Sequence, residues 1–184
     1  NLGTVIVKHA NPCGVSINKN NLKSCQLALA CDPISAFGGI VSCNYRVNKT
    51  IAIELNNIFL EVIIANGFDS EALKILKKKK NVRLIDATNF VMHNLVKFNS
   101  ANDSFLTQSE DIEKFSIKNF KVVSKIKPTK SQLKNLIFAF NICRYVKSNA
   151  IVLASQDTTV GIGSGQPSRL GSCQIAIDKM NKFQ

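Results

Sequence analysis

The sequence of 184 residues lacks the features that mark membrane proteins and secreted proteins. No apolar run approaches the roughly 18 residues that a bilayer-spanning helix requires, and no basic segment followed by an apolar stretch opens the chain. The six cysteines form no C-x-x-C pair and stand mostly within apolar patterns, as reduced, buried thiols do: Cys13, Cys25, Cys31, Cys43, Cys143 and Cys173. We therefore expect a cytoplasmic protein with no membrane partner.

Acidic residues, Trp and Tyr are also scarce. Asp and Glu number 12 against 24 Lys and Arg, there is no Trp, and there are two Tyr. The net charge of +12 could indicate nucleic-acid binding, because clustered cations neutralise phosphates. However, few aromatic side chains stand among the lysines to stack on bases, and the block Lys77–Lys80 suits the solvated C-terminal end of a helix. We expect no nucleic-acid partner, with a basic RNA-binding module as the non-enzymatic alternative.

Short apolar, β-branched runs alternate with amphipathic stretches in the first half of the chain. The alternation predicts strands at 4–7, 39–42, 62–65 and 82–85 and helices over 20–31, 48–58 and 70–79. This pattern is typical of an α/β fold with a mostly parallel or mixed sheet covered by helices. The run 61–65 is apolar after its first residue, which predicts a strand that is buried on both faces.

The second half begins with a polar, less periodic stretch from about 88 to 127, in which 99–104 is interpreted as a turn between two strands. Thr129 and Gln132 then form a T-x-x-Q capping box, which predicts a helix over about 130–147. Strands at 150–154 and 159–163 and a helix from Pro167 should follow.

We place a domain boundary near 120–128, with a first lobe at 1–124 and the start of a truncated second lobe at 125–184. The chain enters at once into a strand-like run and stops inside a predicted helix. It is therefore expected to be a segment of a longer protein.

The first candidate for chemistry is the pair Lys8–His9, which ends the first predicted strand and precedes a turn built from Asn-Pro and Gly. Histidine carries protons near neutral pH, and a neighbouring lysine can hold negative charge or donate a proton. A structural histidine beside a surface lysine is the alternative. His9 and Cys13 could also suggest zinc, but the H-x-E and P-C-x-x-C motifs of zinc deaminases are absent, so we expect no metal.

Two further segments could contribute to a ligand site. In 32–39, D-P-I-S-A-F-G-G, the paired glycines allow backbone to approach a ligand closely, although a helix-to-strand turn explains them equally well. In 147–150, a predicted helix end delivers Asn149 to the start of a strand. Its amide could orient a substrate carboxamide or merely cap the helix.

The glycine-rich stretch 161–169, G-I-G-S-G-Q-P-S-R, is predicted to turn from strand into helix. Such a turn exposes N–H groups to an anion, and Arg169 adds a fork for phosphate. The spacing is G-x-G-x-G and not the G-x-G-x-x-G of a dinucleotide fingerprint. A nucleotide-dependent oxidoreductase using the Gly161–Gly165 turn is thus kept as the alternative enzyme class.

Taken together and in order, five motifs resemble one family: V-K-H-A-N-P-C-G, D-P-I-S-A-F-G-G-I-V, E-V-I-I-A, K-S-N-A-I-V and G-I-G-S-G-Q-P-S-R. The sequence is similar to the transformylase part of the bifunctional AICAR transformylase/IMP cyclohydrolase family, where AICAR is aminoimidazole carboxamide ribonucleotide. The resemblance runs through nearly the whole chain and is loosest over 88–127. It covers the front half of the transformylase region, without the cyclohydrolase domain that precedes it in the family.

The resemblance implies an enzyme that transfers a formyl group from 10-formyltetrahydrofolate, its co-substrate, to the 5-amino group of AICAR. It implies that Lys8 and His9 serve the transfer, with His9 assisting proton removal, and that Asn149 orients the reacting groups. Substrate binding would fall to a second set of residues: Phe37, Gly38, Glu61 and Arg169.

The resemblance also implies an architecture and an assembly. Family members have a cytidine-deaminase-like mixed sheet flanked by helices in two related lobes, and they act as homodimers with the site at the interface. The expected partners are AICAR and folate. Because substrate contacts in the family also come from residues beyond 184, the segment is expected to be inactive alone, with a parent that is also an IMP cyclohydrolase.

Overall fold

The computed structural model describes residues 2–91, 96–111, 115 and 117–184. Its strands are β1 (Leu2–Lys8), β2 (Asn11–Asn18), β3 (Gly39–Cys43), β4 (Leu60–Ala65), β5 (Arg83–Asp86), β6 (Val96–Ala101), β7 (Ser104–Ser109), β8 (Ile151–Ser155) and β9 (Thr158–Gly163). Its helices are α1 (Asn21–Cys31), α2 (Pro33–Ala36), α3 (Lys49–Asn56), α4 (Ser70–Leu76), α5 (Lys130–Cys143) and α6 (Arg169–Phe183), with a 3₁₀ turn at Ile117–Asn119.

Seven strands form one mixed sheet in the order β5-β4-β3-β1-β2-β9-β8. β3, β4 and β5 are parallel to one another, whereas β1 is antiparallel to both β2 and β3, and β9 is antiparallel to β2 and β8. Helices α1 and α6 pack on this sheet, and α3 packs against α4. The predicted α/β class, a mixed sheet flanked by helices, is confirmed. No helix in the described ranges combines the length and apolar character needed to cross a membrane.

The turn predicted over 11–14 is wrong, because Asn11 to Gly14 begin strand β2. The reversal is made by His9 and Ala10, both with positive φ (50° and 63°), and Lys8 pairs directly with Asn11. Gly14 has a packing role, since a Cβ there would lie 1.9 Å from the carbonyl oxygen of Ala28 in α1. Glycine is needed at this position for the close approach of helix and strand.

The core lies on the helix-covered side of the sheet. Buried apolar residues of the central strands meet those of α1, α3 and α4, among them Ile6, Val41, Ile63, Leu55 and Leu76. In β4, Ile63 and Ala65 are buried while Val62 and Ile64 are half-buried. The prediction that this strand is buried on both faces is therefore wrong, because Val62 and Ile64 keep part of their surface exposed.

The second half follows the sequence pattern closely. The capping box of α5 is present, with Thr129 and Gln132 each hydrogen-bonding the other's backbone N–H, although the helix ends at Cys143 and not near 147. The turn predicted over 99–104 is shorter, since Asn102 and Asp103 alone make it and the flanking residues belong to β6 and β7. These two strands form a separate two-stranded sheet, and parts of 88–127 lie outside the described residues. Helix α6 begins at Arg169, two residues later than predicted.

The ranges 1–124 and 125–184 share the large sheet. Ser16 of β2 pairs with Thr158 of β9, and their hydroxyls are 2.8 Å apart. Thr159 Oγ1 accepts a hydrogen bond from the N–H of Val15 at 2.8 Å, and its hydroxyl also lies 3.2 Å from the carbonyl oxygen of Val15. The division into two lobes stays a prediction.

Candidate active site

The β1–β2 turn presents the predicted proton carrier. Lys8 is half-buried at the end of β1, and His9 and Ala10 are exposed at the tip of the turn. Two consecutive left-handed residues suit the twist of a tight hairpin, but this conformation normally selects Asn and Gly. An alanine there is strained, and such strain persists only where surrounding contacts fix the chain.

The second predicted segment forms the turn between α2 and β3. Lys8 Nζ donates a hydrogen bond to the carbonyl oxygen of Phe37. Gly38 adopts φ +70°, and its N–H donates to the carbonyl oxygen of Phe59 at 2.8 Å. The Phe37 ring is 59% exposed and lies 5.3 Å, centroid to centroid, from the Phe59 ring. The structure therefore brings Lys8, Phe37 and Gly38 together.

Glu61 stands at an irregularity near the start of β4. Gly39 pairs with Leu60 and Ile40 with Val62, so Glu61 has no partner on β3. A bulge of this kind redirects a side chain, and bulges are frequent beside active sites. The Glu61 side chain is exposed at the same end of the sheet as Gly38.

Asn149 binds the glycine-rich segment with its side chain. Its Nδ2 donates to the carbonyl oxygens of Gln166 and Pro167, both at 2.9 Å, and its backbone carbonyl accepts from Ser172 Oγ at 2.6 Å. Both amide hydrogens are thus engaged within the protein. The Oδ1 atom is the part of this side chain that remains able to accept a hydrogen bond from a substrate.

Asn11 connects the His9 turn to the segment 147–150. Sequence reasoning assigned Asn11 no site role. Its Oδ1 accepts from the backbone N–H of Lys147 at 2.9 Å, and its Nδ2 donates to the carbonyl oxygen of His9 at 3.3 Å. One side chain therefore fixes the His9 turn against the segment that leads to Asn149. The motif containing Asn11 was recognised, but no local signal could reveal a partner 136 residues away.

The glycines of 161–165 have two different roles. Gly161 and Gly163 lie within β9, where added Cβ atoms would meet the carbonyl oxygens of Ala176 and Ser172 at 2.1 and 1.9 Å. They serve the packing of α6 on the sheet. Only Gly165 lies in the loop, and its N–H donates to the carbonyl oxygen of Lys147 at 2.8 Å. The glycine pattern therefore gives no support to a dinucleotide-binding turn.

The strand register gathers these segments at one end of the sheet. β1 and β9 end there, and β2, β3, β4 and β8 begin there. Contacts join Lys8 to the Phe37–Gly38 turn and join the His9 turn through Asn11 to the segment before Asn149. Arg169 opens α6 at this end and is exposed. In the described ranges no hydrogen bond or ion pair links Arg169 or Glu61 to the other site residues.

The thiol next to this site is not a nucleophile at neutral pH. Burial, with a further contribution from the Asp32 carboxylate, raises the pKa of Cys13 to about 11. The thiol is therefore protonated, and protonated thiols attack and ligate metals poorly. All six cysteines are free, as predicted, and the four in the first half of the chain are buried.

Comparisons with known proteins agree on one family. The model of the AICARFT/IMPCHase bienzyme family matches residues 1–179. Relatives called bifunctional purine biosynthesis protein PurH are 43% identical in Staphylococcus carnosus over 175 residues, 43% in Prochlorococcus marinus over 179 and 44% in Rhodospirillum rubrum over 180. These alignments cover 95%, 96% and 96% of this chain and 36%, 35% and 34% of the relatives.

Among solved structures, the dCMP deaminase of cyanophage S-TIM5 in its apo form is 10% identical, with a TM-score of 0.38 over 46% of this chain and 78% of that one. A score this low carries no weight for the fold, which rests on the strand order itself. The chain spans about a third of the length of the curated relatives that it matches. By the family match and by these identities, the chain belongs to the AICARFT/IMPCHase bienzyme family.

Proposed function

We propose that this chain is part of an AICAR transformylase of purine biosynthesis, which moves a formyl group from 10-formyltetrahydrofolate to the 5-amino group of AICAR. The main support is that Lys8, His9, the Phe37–Gly38 turn and Asn149 meet at one end of the sheet through named contacts. Membership of the family supports the choice of substrates.

In this reaction the amine nitrogen attacks the formyl carbon, and the bond from that carbon to N10 of the folate breaks. The amine loses a proton and N10 gains one, so the transfer is balanced without a metal or an oxidant. The amine is a poor nucleophile, because its lone pair is drawn towards the carboxamide. Proton removal and stabilisation of the developing oxyanion must therefore be supplied together.

The geometry suits His9 and Lys8 for these two tasks. His9 is exposed at the tip of a fixed turn, so its ring would be open to accept the proton of an amine bound beside that turn. The Lys8 ammonium has three hydrogens, of which the Phe37 carbonyl takes one, so others can face the oxyanion. Holding the ammonium in place before reaction makes such stabilisation effective.

The remaining residues would bind and orient the substrates. Oδ1 of Asn149 would accept a hydrogen bond from an amine or carboxamide N–H of AICAR, because its amide hydrogens are already engaged. The exposed ring of Phe37 offers an apolar surface to a heterocycle, with Gly38 allowing close approach. The guanidinium of Arg169 would bind a phosphate or carboxylate through two hydrogen bonds. The carboxylate of Glu61 would accept a hydrogen bond from an N–H or O–H group of a substrate.

We further propose that the site is completed in a cytoplasmic homodimer and by segments present in the longer relatives, and that the parent also carries the cyclohydrolase. These proposals follow from the family and from the exposure of His9, Glu61 and Arg169, which leaves them open to a second surface. On this basis the segment alone should be inactive.

The test is to supply the complete gene product with AICAR and 10-formyltetrahydrofolate and to measure formylated AICAR and tetrahydrofolate in equal amounts. The same product with His9→Ala serves as the matched comparison. A well-folded, dimeric product that binds AICAR but releases no tetrahydrofolate would contradict the proposal.

A further inference from the structure

A buried ion pair joins α6 to the residue that precedes α2. The Asp32 side chain is 3% exposed, and its Oδ2 lies 2.7 Å from Nζ of Lys179, whose side chain is 31% exposed. Burial would raise the pKa of the Asp32 carboxyl, but hydrogen bonds from Lys179 and Ser35 lower it below its ordinary value of 3.8. Asp32 is thus a carboxylate whose charge is matched by a lysine from a distant helix.

Asp32 also fixes the start of α2. Its Oδ1 accepts from the N–H of Ser35 at 2.9 Å, and its Oδ2 accepts from Ser35 Oγ at 2.7 Å. α2 is only four residues long, and it is held by this cap together with the buried side chain of Ala36. Phe37 follows directly, and its largely exposed ring gives it little anchorage in the core.

The position of the Phe37 carbonyl matters because it accepts the hydrogen bond from Lys8 Nζ. The far side of that turn is held by the bond from the N–H of Gly38 to the carbonyl oxygen of Phe59. The residues just before Phe37 are held by α2 and by Asp32, which caps that helix. A continuous set of contacts therefore runs from Lys179 through Asp32 and α2 to the ammonium of Lys8.

We propose that Asp32 and Lys179 are positioning residues for Lys8, acting through the Phe37 carbonyl. The assignment rests on the proposed formyl transfer. Because Lys179 and Arg169 lie on the same helix, the ion pair also sets α6 and the Phe37 turn in a fixed relation. Loss of the pair lets α2 shift, and the Lys8 ammonium moves away from where the oxyanion develops.

The test compares three variants of the complete gene product. The double variant Asp32→Asn/Lys179→Met removes both charges, so it leaves no unpaired buried ion and should fold. Lys179→Arg keeps the pair. Lys134→Met is the matched control, since it also removes a lysine from an ion pair, but one with Asp157 at the opposite end of the sheet from the site.

Two measurements are made on each variant: formyl-transfer kinetics, and the rate at which Lys8 is reductively methylated, followed by mass spectrometry. The double variant should lose about 10- to 100-fold in kcat with a smaller change in KM, as a misplaced group does. Its Lys8 should be methylated about two- to tenfold faster, the factor that one lost hydrogen bond supplies. Lys179→Arg and Lys134→Met should match the wild type.

A folded double variant with wild-type kcat and an unchanged methylation rate would overturn the proposal. If the wild-type protein transfers no formyl group, the proposed function fails, and the methylation rate alone then decides the positioning role. Should the double variant not fold, Ser35→Ala takes its place, because it removes one bond of the cap without touching a charge. Faster methylation of Lys8 in Ser35→Ala supports the proposal, and an unchanged rate contradicts it.

Discussion

The side-chain oxygen of Asn11 accepts a hydrogen bond from the backbone N–H of Lys147 at 2.9 Å, across 136 positions of sequence. The same side chain donates to the carbonyl oxygen of His9. The turn that carries the proposed proton acceptor and the segment that leads to Asn149 are therefore held by one amide. Their spacing should depend on it.

Replacing Asn11 by Ala should lower kcat for formyl transfer by about tenfold or more, because the two segments lose their common anchor and small displacements of reacting groups are costly. Steady-state kinetics of the complete gene product would measure this. Asn44→Ala is the control, since Asn44 Oδ1 accepts a hydrogen bond from the N–H of Gly3 at 2.7 Å near the opposite end of β1. Equal losses of kcat in both variants would mean that Asn11 acts on stability alone.

His9→Ala should reduce kcat by about 10²–10⁴-fold, the usual contribution of a positioned general base, while AICAR affinity changes only a few-fold. A base acts mainly in the transition state, so its loss appears in turnover more than in binding. Arg169→Ala should instead raise KM more than it lowers kcat. A guanidinium that holds a phosphate or carboxylate binds the ground state and the transition state alike. Near-normal turnover in His9→Ala would return His9 to a structural role.

Gly163→Ala should destabilise the fold by about 1–3 kcal/mol or more, because the new Cβ would lie 1.9 Å from the carbonyl oxygen of Ser172 and α6 would have to move. Gly171→Ala, within α6, should stabilise the fold by up to about 1 kcal/mol. Its Cβ meets nothing closer than 3.9 Å, and alanine favours helix. Chemical denaturation of both variants measures the two signs, and a stable Gly163→Ala protein would contradict the packing described for α6.

Asp32 should make the stability of the fold depend on acid. Its pKa is lowered in the folded state, so the stabilisation it gives is full above its ordinary value of 3.8 and is lost as pH falls through the lowered pKa. The difference in unfolding free energy between wild type and Asp32→Asn should therefore shrink as the pH falls below 3.8. In Ser35→Ala, which lacks one bond that lowers the pKa, the folded pKa lies closer to 3.8, so the loss should be smaller and should be complete at a higher pH. A difference that is constant with pH would show that the carboxylate charge is irrelevant.

The buried thiols should resist alkylation. Burial raises the pKa of Cys25 and Cys43 to about 12 and that of Cys31 to about 11, so these groups are protonated and shielded at pH 8. Iodoacetamide should modify the half-buried Cys143 and Cys173 first, and all six cysteines only after unfolding. Peptide mass spectrometry gives the order directly, and early labelling of Cys25 would be inconsistent with the described core.

The sequence by itself determined the elements whose causes are local. Alternating apolar runs predicted most strands and helices of the first half to within a few residues. They could do so because the spacing of apolar residues along a segment follows the period of the helix or strand that it forms. The capping box at Thr129 and Gln132 fixed the start of α5, since both partners lie within one turn. The ordered motifs identified the family before any geometry was known.

Only the tertiary structure decided how the segments meet. The turn at His9 and Ala10 lacks the Asn-Gly signal of such turns, so strand β2 was missed. Gly161 and Gly163 have a packing role because helix α6 lies directly against β9. The bond from Lys147 to Asn11 and the ion pair of Lys179 with Asp32 join residues more than 100 positions apart. Such contacts follow from strand pairing and helix docking, and no local pattern records which distant groups the finished sheet will place side by side.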